Sequence, residues 1–344
     1  MTAPDLSIII VSWNVRDLLR ACLASLAAGA AASAEGPLLT VEVIVVDNAS
    51  ADGSAAMVAA EFPAVQLIAN QENRGFTGGN NQGLALARGR YVLFLNPDTV
   101  VSPGALSTMV AYMEAHPKVG ALGPRLRYGD GSLQSSARRF PTVTTVLFES
   151  TPLAWHWPDN PWARAYRMED GGLQVPGYKL KVDKFQPSTF QPATHVDWVV
   201  GAALLTRRAV LDEIGGFDEG YFMYSEELDW CRRAALAGWQ TVYLPTAEII
   251  HYEGKSSEQV VAARHIRFHR SRVRYFRKFH GRAAAETVRL VVLGMFAVEW
   301  LLEAGKWLLG SRRALRRERL AAYRQLLKSG LRPASGLRPA SGLR

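Results

Sequence analysis

Within the first 130 residues four short, almost unbroken apolar runs, Leu6 to Val11, Val41 to Val46, Val65 to Ala69 and Tyr91 to Leu95, alternate with helical patterns over 15–28, 52–61, 77–88 and 103–116. Runs this continuous leave no polar face for water, so strands made from them need cover on both sides, which crossover helices give to a parallel sheet. The expected architecture is α/β, an open and mostly parallel Rossmann-like sheet covered by helices. With 344 residues, 48% of them apolar, the chain can bury one large core or two modest ones.

In such sheets ligands gather at the carboxyl ends of the strands, and there the polar residues cluster: Ser12-Trp13-Asn14, Asp47-Asn48-Ala49-Ser50, Asn73-Arg74-Gly75-Phe76 and Asn96-Pro97-Asp98. A dinucleotide-binding dehydrogenase would need a Gly-x-Gly-x-x-Gly turn after the first strand. The turn here, Val11-Ser12-Trp13-Asn14-Val15-Arg16, has no glycine. The start of the chain lacks a basic n-region and reads as a strand, not a signal peptide. Cys22 and Cys231 lie in helical stretches, so no disulfide framework is expected and a reducing compartment fits.

The formal charge of +9 is unevenly spread: residues 264–344 hold 20 Lys/Arg against 4 Asp/Glu, leaving 20 against 27 in the rest. A basic tail on a mildly acidic body is expected to meet an anionic partner, a phospholipid surface or a lipid pyrophosphate before nucleic acid, because no zinc spacing, helix-turn-helix or aromatic RNA-binding signature accompanies the charge.

In chain order, Ser12-Trp13-Asn14, Val45-Val46-Asp47-Asn48-Ala49-Ser50, Asn73-Arg74-Gly75-Phe76, Asn80, Leu95-Asn96-Pro97-Asp98, Gly201-Ala202-Ala203, Gly216-Phe217-Asp218, Glu226-Glu227-Leu228-Asp229 and His251-Tyr252-Glu253-Gly254-Lys255-Ser256 resemble the bacterial family 2 inverting glycosyltransferases, and among them the rhamnosyltransferase branch. The resemblance runs over roughly residues 5–257 and omits the tail. It implies a GT-A fold, a dTDP-sugar or UDP-sugar donor with dTDP-rhamnose expected, and a lipid-linked saccharide acceptor in cell-envelope biosynthesis. Donor binding falls to Ser12, Asn14, Asp47, Asn48, Asn73, Arg74, Gly75, Asn80, Asn96, Asp98, Gly201 and Ala202.

Each element also has a plainer reading. Asp47 can accept the imide N–H of a pyrimidine or close an Asx turn with Ser50; Ser12 and Asn14 can meet the base or ribose or cap a helix. Gly75, Gly78 and Gly79 let backbone approach a ligand, with Arg74 offsetting diphosphate charge, or form a turn. The family's Asp-x-Asp is here Asn96-Pro97-Asp98, which makes Asp98 the main ligand of Mg²⁺ or Mn²⁺ and His251 a second one; imidazole favours Mn²⁺.

Inversion needs a base opposite the leaving diphosphate. Glu226 and Glu227 point about 100° apart on a helix, so only one faces the site. The resemblance assigns the base to Glu227; a reading of the residues beside it lets Asp229 orient a sugar or phosphate hydroxyl instead and puts Arg232 or Arg233 near the diphosphate. The alternative is an acidic first turn that merely suits the helix dipole.

Residues 130–195, with Trp155, Trp157, Trp162 and many prolines, show no clean periodicity and stand as an acceptor-facing insertion or satellite packing. Residues 286–313 read as an interfacial helix: the longest uncharged run, Leu290 to Val298, is far below the ~20 residues of a membrane span. Leu290, Leu293, Phe296, Trp300, Leu301, Trp307 and Leu308 form its apolar surface and Arg312, Arg313, Arg316, Arg317 and Arg319 follow; a helix pair packed on protein is the alternative. The expected organisation is a catalytic domain over 1–260 (nucleotide half 1–125, acceptor half 126–260), a basic helical extension over 261–328 and a disordered repeat over 329–344. The expected location is the cytoplasmic face of the membrane, held peripherally, with the oligomeric state open. A sugar-nucleotidyltransferase and a non-catalytic membrane adaptor are the other functional classes.

Overall fold

The apolar runs form β1 (Leu6–Ser12), β2 (Val41–Asp47), β3 (Gln66–Ala69) and β4 (Tyr91–Leu95). A computed structural model describes residues 3–31, 39–149, 157, 160–168, 193–252, 261–310 and 312–332. β1 lies between β2 and β4 with all pairings parallel, and β3 adds outside β2. Ser12 pairs with Asp47 and Ile10 with Leu95, which aligns the carboxyl ends into one rim. Every residue of β1 and β4 is buried, and each large apolar side chain so buried stabilises by roughly 1.5–3 kcal/mol.

The helices between these strands are α1 (Arg16–Ala31), α2 (Ser54–Glu61), α3 (Gly75–Leu86) and α4 (Ala105–Ala115). Leu19, Cys22, Leu23 and Leu26 of α1, with Met109, Val110 and Met113 of α4, share one core with Leu6, Ile8, Ile10, Leu93 and Leu95. On the other face α3 approaches β1 through small residues: a Cβ on Gly79 would lie 2.8 Å from Val11 Cγ1, and one on Gly83 2.5 Å from Ile9 Cγ2. Gly79 thus serves helix-on-sheet packing.

Beyond β4 the sheet becomes mixed. Its further strands are β5 (Thr99–Val101), β6 (Val119–Arg127), β7 (Leu133–Gln134), β9 (Thr194–Val196), β11 (Ala203–Arg207) and β12 (Gln240–His251); β8 (Ala137–Arg138) pairs separately with β10 (Trp198–Val199). The main path runs β3-β2-β1-β4-β11-β6-β12-β5. β12 follows β6 in parallel to Leu244, breaks register between Leu244 and Glu248, then continues to Ile250. Pro245 falls in that break, where a missing N–H costs no ladder bond.

The remaining described helices are α5 (Val143–Glu149), α6 (Pro161–Tyr166), α7 (Arg208–Ile214), α8 (Glu226–Leu236), α9 (Val261–Phe279), α10 (Gly281–Leu308) and α11 (Arg313–Ser329). The chain divides into two compact units, one of residues 1–140, 167–219 and 226–256, the other of 141–166, 220–225 and 257–344. In the second unit α9, α10 and α11 pack on one another.

The interfacial surface expected of 286–313 is only half realised. Val288, Val292 and Phe296 are buried, whereas Leu290, Val298, Leu301, Leu302, Leu308 and Leu309 are exposed. Glu303 is 2% exposed and ion-paired with Arg316, Lys306 and Arg319. No described helix is long and apolar enough to cross a membrane. Of the terminal repeat, Ser329 ends α11 and Leu331 is buried; residues 333–344 lie outside the described residues.

Gly83→Ala is expected to cost about 1–3 kcal/mol by overpacking Ile9, read as a lowered urea midpoint; an unchanged midpoint contradicts the close approach of α3.

Candidate active site

β4 ends in Asn96-Pro97-Asp98, and the next three residues form β5, antiparallel to the end of β12 with Thr99 opposite His251. This pairing brings two residues 153 positions apart together: His251 Nε2 lies 3.3 Å from Asp98 Oδ1 and 3.4 Å from Asn96 Nδ2. Both Asp98 and His251 are buried. Neighbouring ligands of an octahedral Mg²⁺ or Mn²⁺ stand about 3 Å apart, given metal–oxygen distances of about 2.1 Å, so this pair suits two adjacent positions on one ion. Among the described residues no cluster of three or more His, Cys, Asp or Glu side chains is placed to hold a metal.

His251 Nδ1 faces Gln134 Oε1 at 2.9 Å. A carboxamide oxygen only accepts, so Nδ1 presents an N–H to Gln134 and Nε2 is the ring nitrogen that faces Asp98, the arrangement by which an outer partner orients a metal-binding imidazole. Below, Thr99 Oγ1 donates to the Asn96 carbonyl at 2.7 Å, and the buried Cys22 Sγ lies 3.5 Å from Thr99 Oγ1. Burial pushes the Cys22 thiol up to about 12. The Glu253 to Ser256 part of the His251 motif lies outside the described residues.

The Asn96 N–H donates to the Ala202 carbonyl at 2.9 Å. One residue back, Gly201 lies against Glu227: a Cβ there would sit 3.4 Å from Glu227 Cβ, Cγ and Cδ. Glu226 and Glu227 open α8. Burial raises the pKa of both; for Glu226 repulsion from Glu227 and Asp229 adds to the rise, and it goes well above the usual carboxylate range. Backbone N–H groups of Gly201 and Leu228 hold back part of the rise at Glu227. Each of the two glutamates keeps a buried Oε2 with no hydrogen-bond partner in the protein.

Asp229 is engaged differently. It is fully buried and accepts from Arg233 Nε at 2.8 Å, while Arg233 also donates to the carbonyls of Ile214 (2.5 Å) and Gly216 (2.6 Å). Gly216-Phe217 is further clamped by Asn81, whose side chain bonds the Phe217 carbonyl (2.9 Å) and N–H (3.0 Å), and Phe217 packs on Phe94 of β4 at 4.6 Å. Asp229 and Arg233 thus hold the Gly216-Phe217 turn against the sheet. Arg232 stands 4.6 Å over the Phe140 ring.

At the carboxyl end of β2, the two oxygens of Asp47 differ in their surroundings. Its Oδ2 accepts from the Ser50 N–H at 2.9 Å, closing an Asx turn, while its buried Oδ1 has no partner in the protein. The Ser12 hydroxyl beside it is likewise buried without a partner, a cost met where a ligand completes the bonds. The neighbouring amides serve the backbone: Asn14 Oδ1 accepts from Ala51 N (2.7 Å), Asn48 donates to the Gly75 carbonyl (2.9 Å), Asn73 accepts from Gly75 N (2.9 Å) and Asn80 donates to the Phe76 carbonyl (2.9 Å). Gly75 has φ +76°, which favours glycine. Arg74 is half exposed with only a 3.9 Å pairing to Glu72.

Gln134, Asn81 and the Gly201 contact with Glu227 were not apparent from the sequence pattern. Gln134 sits in a two-residue strand, too short for periodicity to register. Trp157 and Trp162, partly exposed, join Phe148 in an aromatic cluster, with Phe148 stacked on Trp162 at 4.4 Å; Trp155 lies outside the described residues.

Residues 7–215 match the family model described as glycosyl transferase family 2. The chain is 33% identical over 242 residues to the N-acetylglucosaminyl-diphospho-decaprenol L-rhamnosyltransferase of Mycobacterium tuberculosis, covering 67% of this chain and 73% of that one. It is 28% identical over 186 residues to the rhamnosyltransferase WbbL of Escherichia coli, 52% and 61% of the two chains. A solved structure of a mannosyltransferase from Pyrobaculum calidifontis, in complex with GDP-Man and Mn²⁺, superposes with a TM-score of 0.52 at 17% identity, covering 96% and 87% of the two chains.

The raised pKa values of Glu226 and Glu227 fix a sign. Stability they contribute is complete below their ordinary 4.5 and is lost as pH rises through the higher folded values. Glu226→Gln should therefore be more stable than the parent at about pH 8 and converge with it below about pH 4. Denaturant titrations at the two pH values check this; a parent at least as stable at pH 8 contradicts it.

Proposed function

Because the chain belongs to glycosyl transferase family 2, we propose that it is an inverting, metal-dependent enzyme that takes a sugar from a dTDP- or UDP-sugar, with dTDP-rhamnose the first choice, to a lipid-linked saccharide in cell-envelope biosynthesis. The observation that carries this reading is the adjacency of Gly201 and Ala202: one contacts Glu227, the other receives the Asn96 N–H, so the turn bearing Asp98 and the acid proposed as base flank a single peptide. The rhamnosyltransferase relatives support the donor, and the mycobacterial relative's name supports a diphospho-lipid acceptor.

In the proposed reaction the open oxygens of Asp47 and Ser12 bind the pyrimidine and ribose. Asp98 and His251 Nε2 would hold Mg²⁺ or Mn²⁺, with Gln134 keeping the imidazole in register. The ion supplies positive charge that stabilises the departing nucleoside diphosphate. Glu227 takes the proton of the acceptor hydroxyl as its oxygen bonds to the anomeric carbon and the bond from that carbon to the diphosphate oxygen breaks on the opposite face. Burial favours this role, because a raised pKa makes a carboxylate a stronger base. The exposed leucines of α10 and the basic residues that follow support peripheral docking on an anionic leaflet, which would present a lipid-borne acceptor.

Incubation with a panel of dTDP- and UDP-sugars, a polyprenyl-diphosphate-linked saccharide and Mg²⁺ or Mn²⁺ tests the reading: release of a nucleoside diphosphate is expected, whereas pyrophosphate would identify a nucleotidyltransferase. Glu227→Gln should lower kcat at least about a hundredfold, the lower range of general-base effects, with donor affinity nearly unchanged; retained turnover would move the base to Glu226. Gln134→Ala should weaken Mn²⁺ binding about 10–100-fold, read by the electron paramagnetic resonance signal of free Mn²⁺ at fixed nucleotide; parental affinity would remove Gln134 from the site.

A further inference from the structure

The hexapeptide Gly220–Ser225, which runs directly into Glu226 and Glu227, belongs to the same compact unit as the C-terminal helices. One face of α9 contacts almost every residue of it. Arg274 stands 5.1 Å over the Tyr221 ring, and its guanidinium fills the space where a Gly220 side chain would begin. Arg267 lies 4.1 Å over the Phe222 ring, and Ser271 donates to the Met223 carbonyl at 2.8 Å. Phe268 meets Tyr224 edge to face at 5.6 Å. Residues 267, 268, 271 and 274 follow the spacing of a single helical face.

The gripped segment ends in an unusual backbone. Tyr224 and Ser225 are consecutive non-glycine residues with φ of +72° and +65°. L-residues keep such angles only where their surroundings over-determine them, and such strain gathers where a side chain must be aimed. The next residue begins α8, so the dihedrals at 224 and 225 set the direction in which the acidic first turn leaves the loop. Arg274 and Ser271 are themselves buried, so the grip is built into the interior of the unit and not laid on its surface. The family match ends at residue 215, before the hexapeptide, the acids and α9.

We infer that α9 is a positioning element for the transfer reaction: Arg267, Phe268, Ser271 and Arg274 hold Gly220–Ser225 in its left-handed exit and thereby aim Glu226 and Glu227. This rests on the reading of Glu227 as base. The four residues act through the loop and touch no reacting atom. The acids are then tuned through the loop that runs into them, while nucleotide binding on the reading above depends on Asp47, Ser12 and Asp98.

Arg274→Gln and Ser271→Ala in the full chain test this by amide hydrogen exchange over residues 222–227, calorimetric affinity for dTDP or UDP with Mn²⁺, and kcat. Exchange is expected to quicken at least tenfold and kcat to fall at least tenfold in Arg274→Gln, with smaller shifts of the same sign in Ser271→Ala and nucleotide affinity within twofold of the parent. Unchanged exchange, an unchanged kcat, or a loss of nucleotide affinity parallel to that of kcat overturns the inference. Ser271→Ala deletes one hydroxyl and decides by the same criteria if Arg274→Gln does not fold. Exchange is read without turnover, so a parent protein that transfers no sugar sinks the functional reading alone, and unchanged exchange sinks the brace alone.

Discussion

The hydrogen bond from the Asn96 N–H to the Ala202 carbonyl is the joint on which the site depends. It continues the antiparallel ladder between β4 and β11 by one step past the last residue of β4, so the parallel half of the sheet and the mixed half are locked in register where their chemistry differs. On one side the chain turns through Pro97 to Asp98; on the other, Gly201 lacks a side chain and admits Glu227. Any residue larger than glycine at 201 would meet Glu227 at 3.4 Å along its length. The remaining contacts act on this joint from a distance: β12 bends at its register break to deliver His251, and Arg233 pins the Gly216 turn beneath α8.

What could be read from the sequence follows from which physical signal each part carries. β1, β2 and β4 are legible because strands covered on both faces must be apolar throughout. The starts of α3 and α4 shift by two residues from the periodic pattern, because periodicity sees side chains whereas those ends are set by the Gly75 backbone, the Asn73 side chain and the left-handed Gly104. At Asp47 a turn and a ligand contact look alike in sequence, and the structure gives one carboxylate oxygen to the turn and leaves the other buried without a partner in the protein. Gln134 carries no local signal: nothing in Leu133-Gln134-Ser135 foretells an imidazole more than a hundred residues away.

The C-terminal helices show the same limit for amphipathic patterns. Apolar residues at helical spacing told that α10 buries a face without telling which. Phe296 turns inward to His265, His269 and Tyr323, while Leu301 and Leu302 on the next turns stay outside. Glu303 is drawn inside by Arg316 and its neighbours, and their proximity holds its carboxyl below the ordinary range despite burial. Part of the tail's positive charge is thus spent internally, and what faces outward is less than the formal count.

Cys22 gives the Asn96-Pro97-Asp98 turn an unplanned chemical reporter. Its sulfur lies in the core of α1 against Thr99 and the Asn96 carbonyl, and its thiol is held up to about 12, so no alkylating reagent meets a thiolate while α1 stays seated. The rate at which this cysteine becomes modified is then a clock for the lifting of α1 from the turn that presents Asp98, and a ligand gripping that turn would slow the clock without coming near the sulfur.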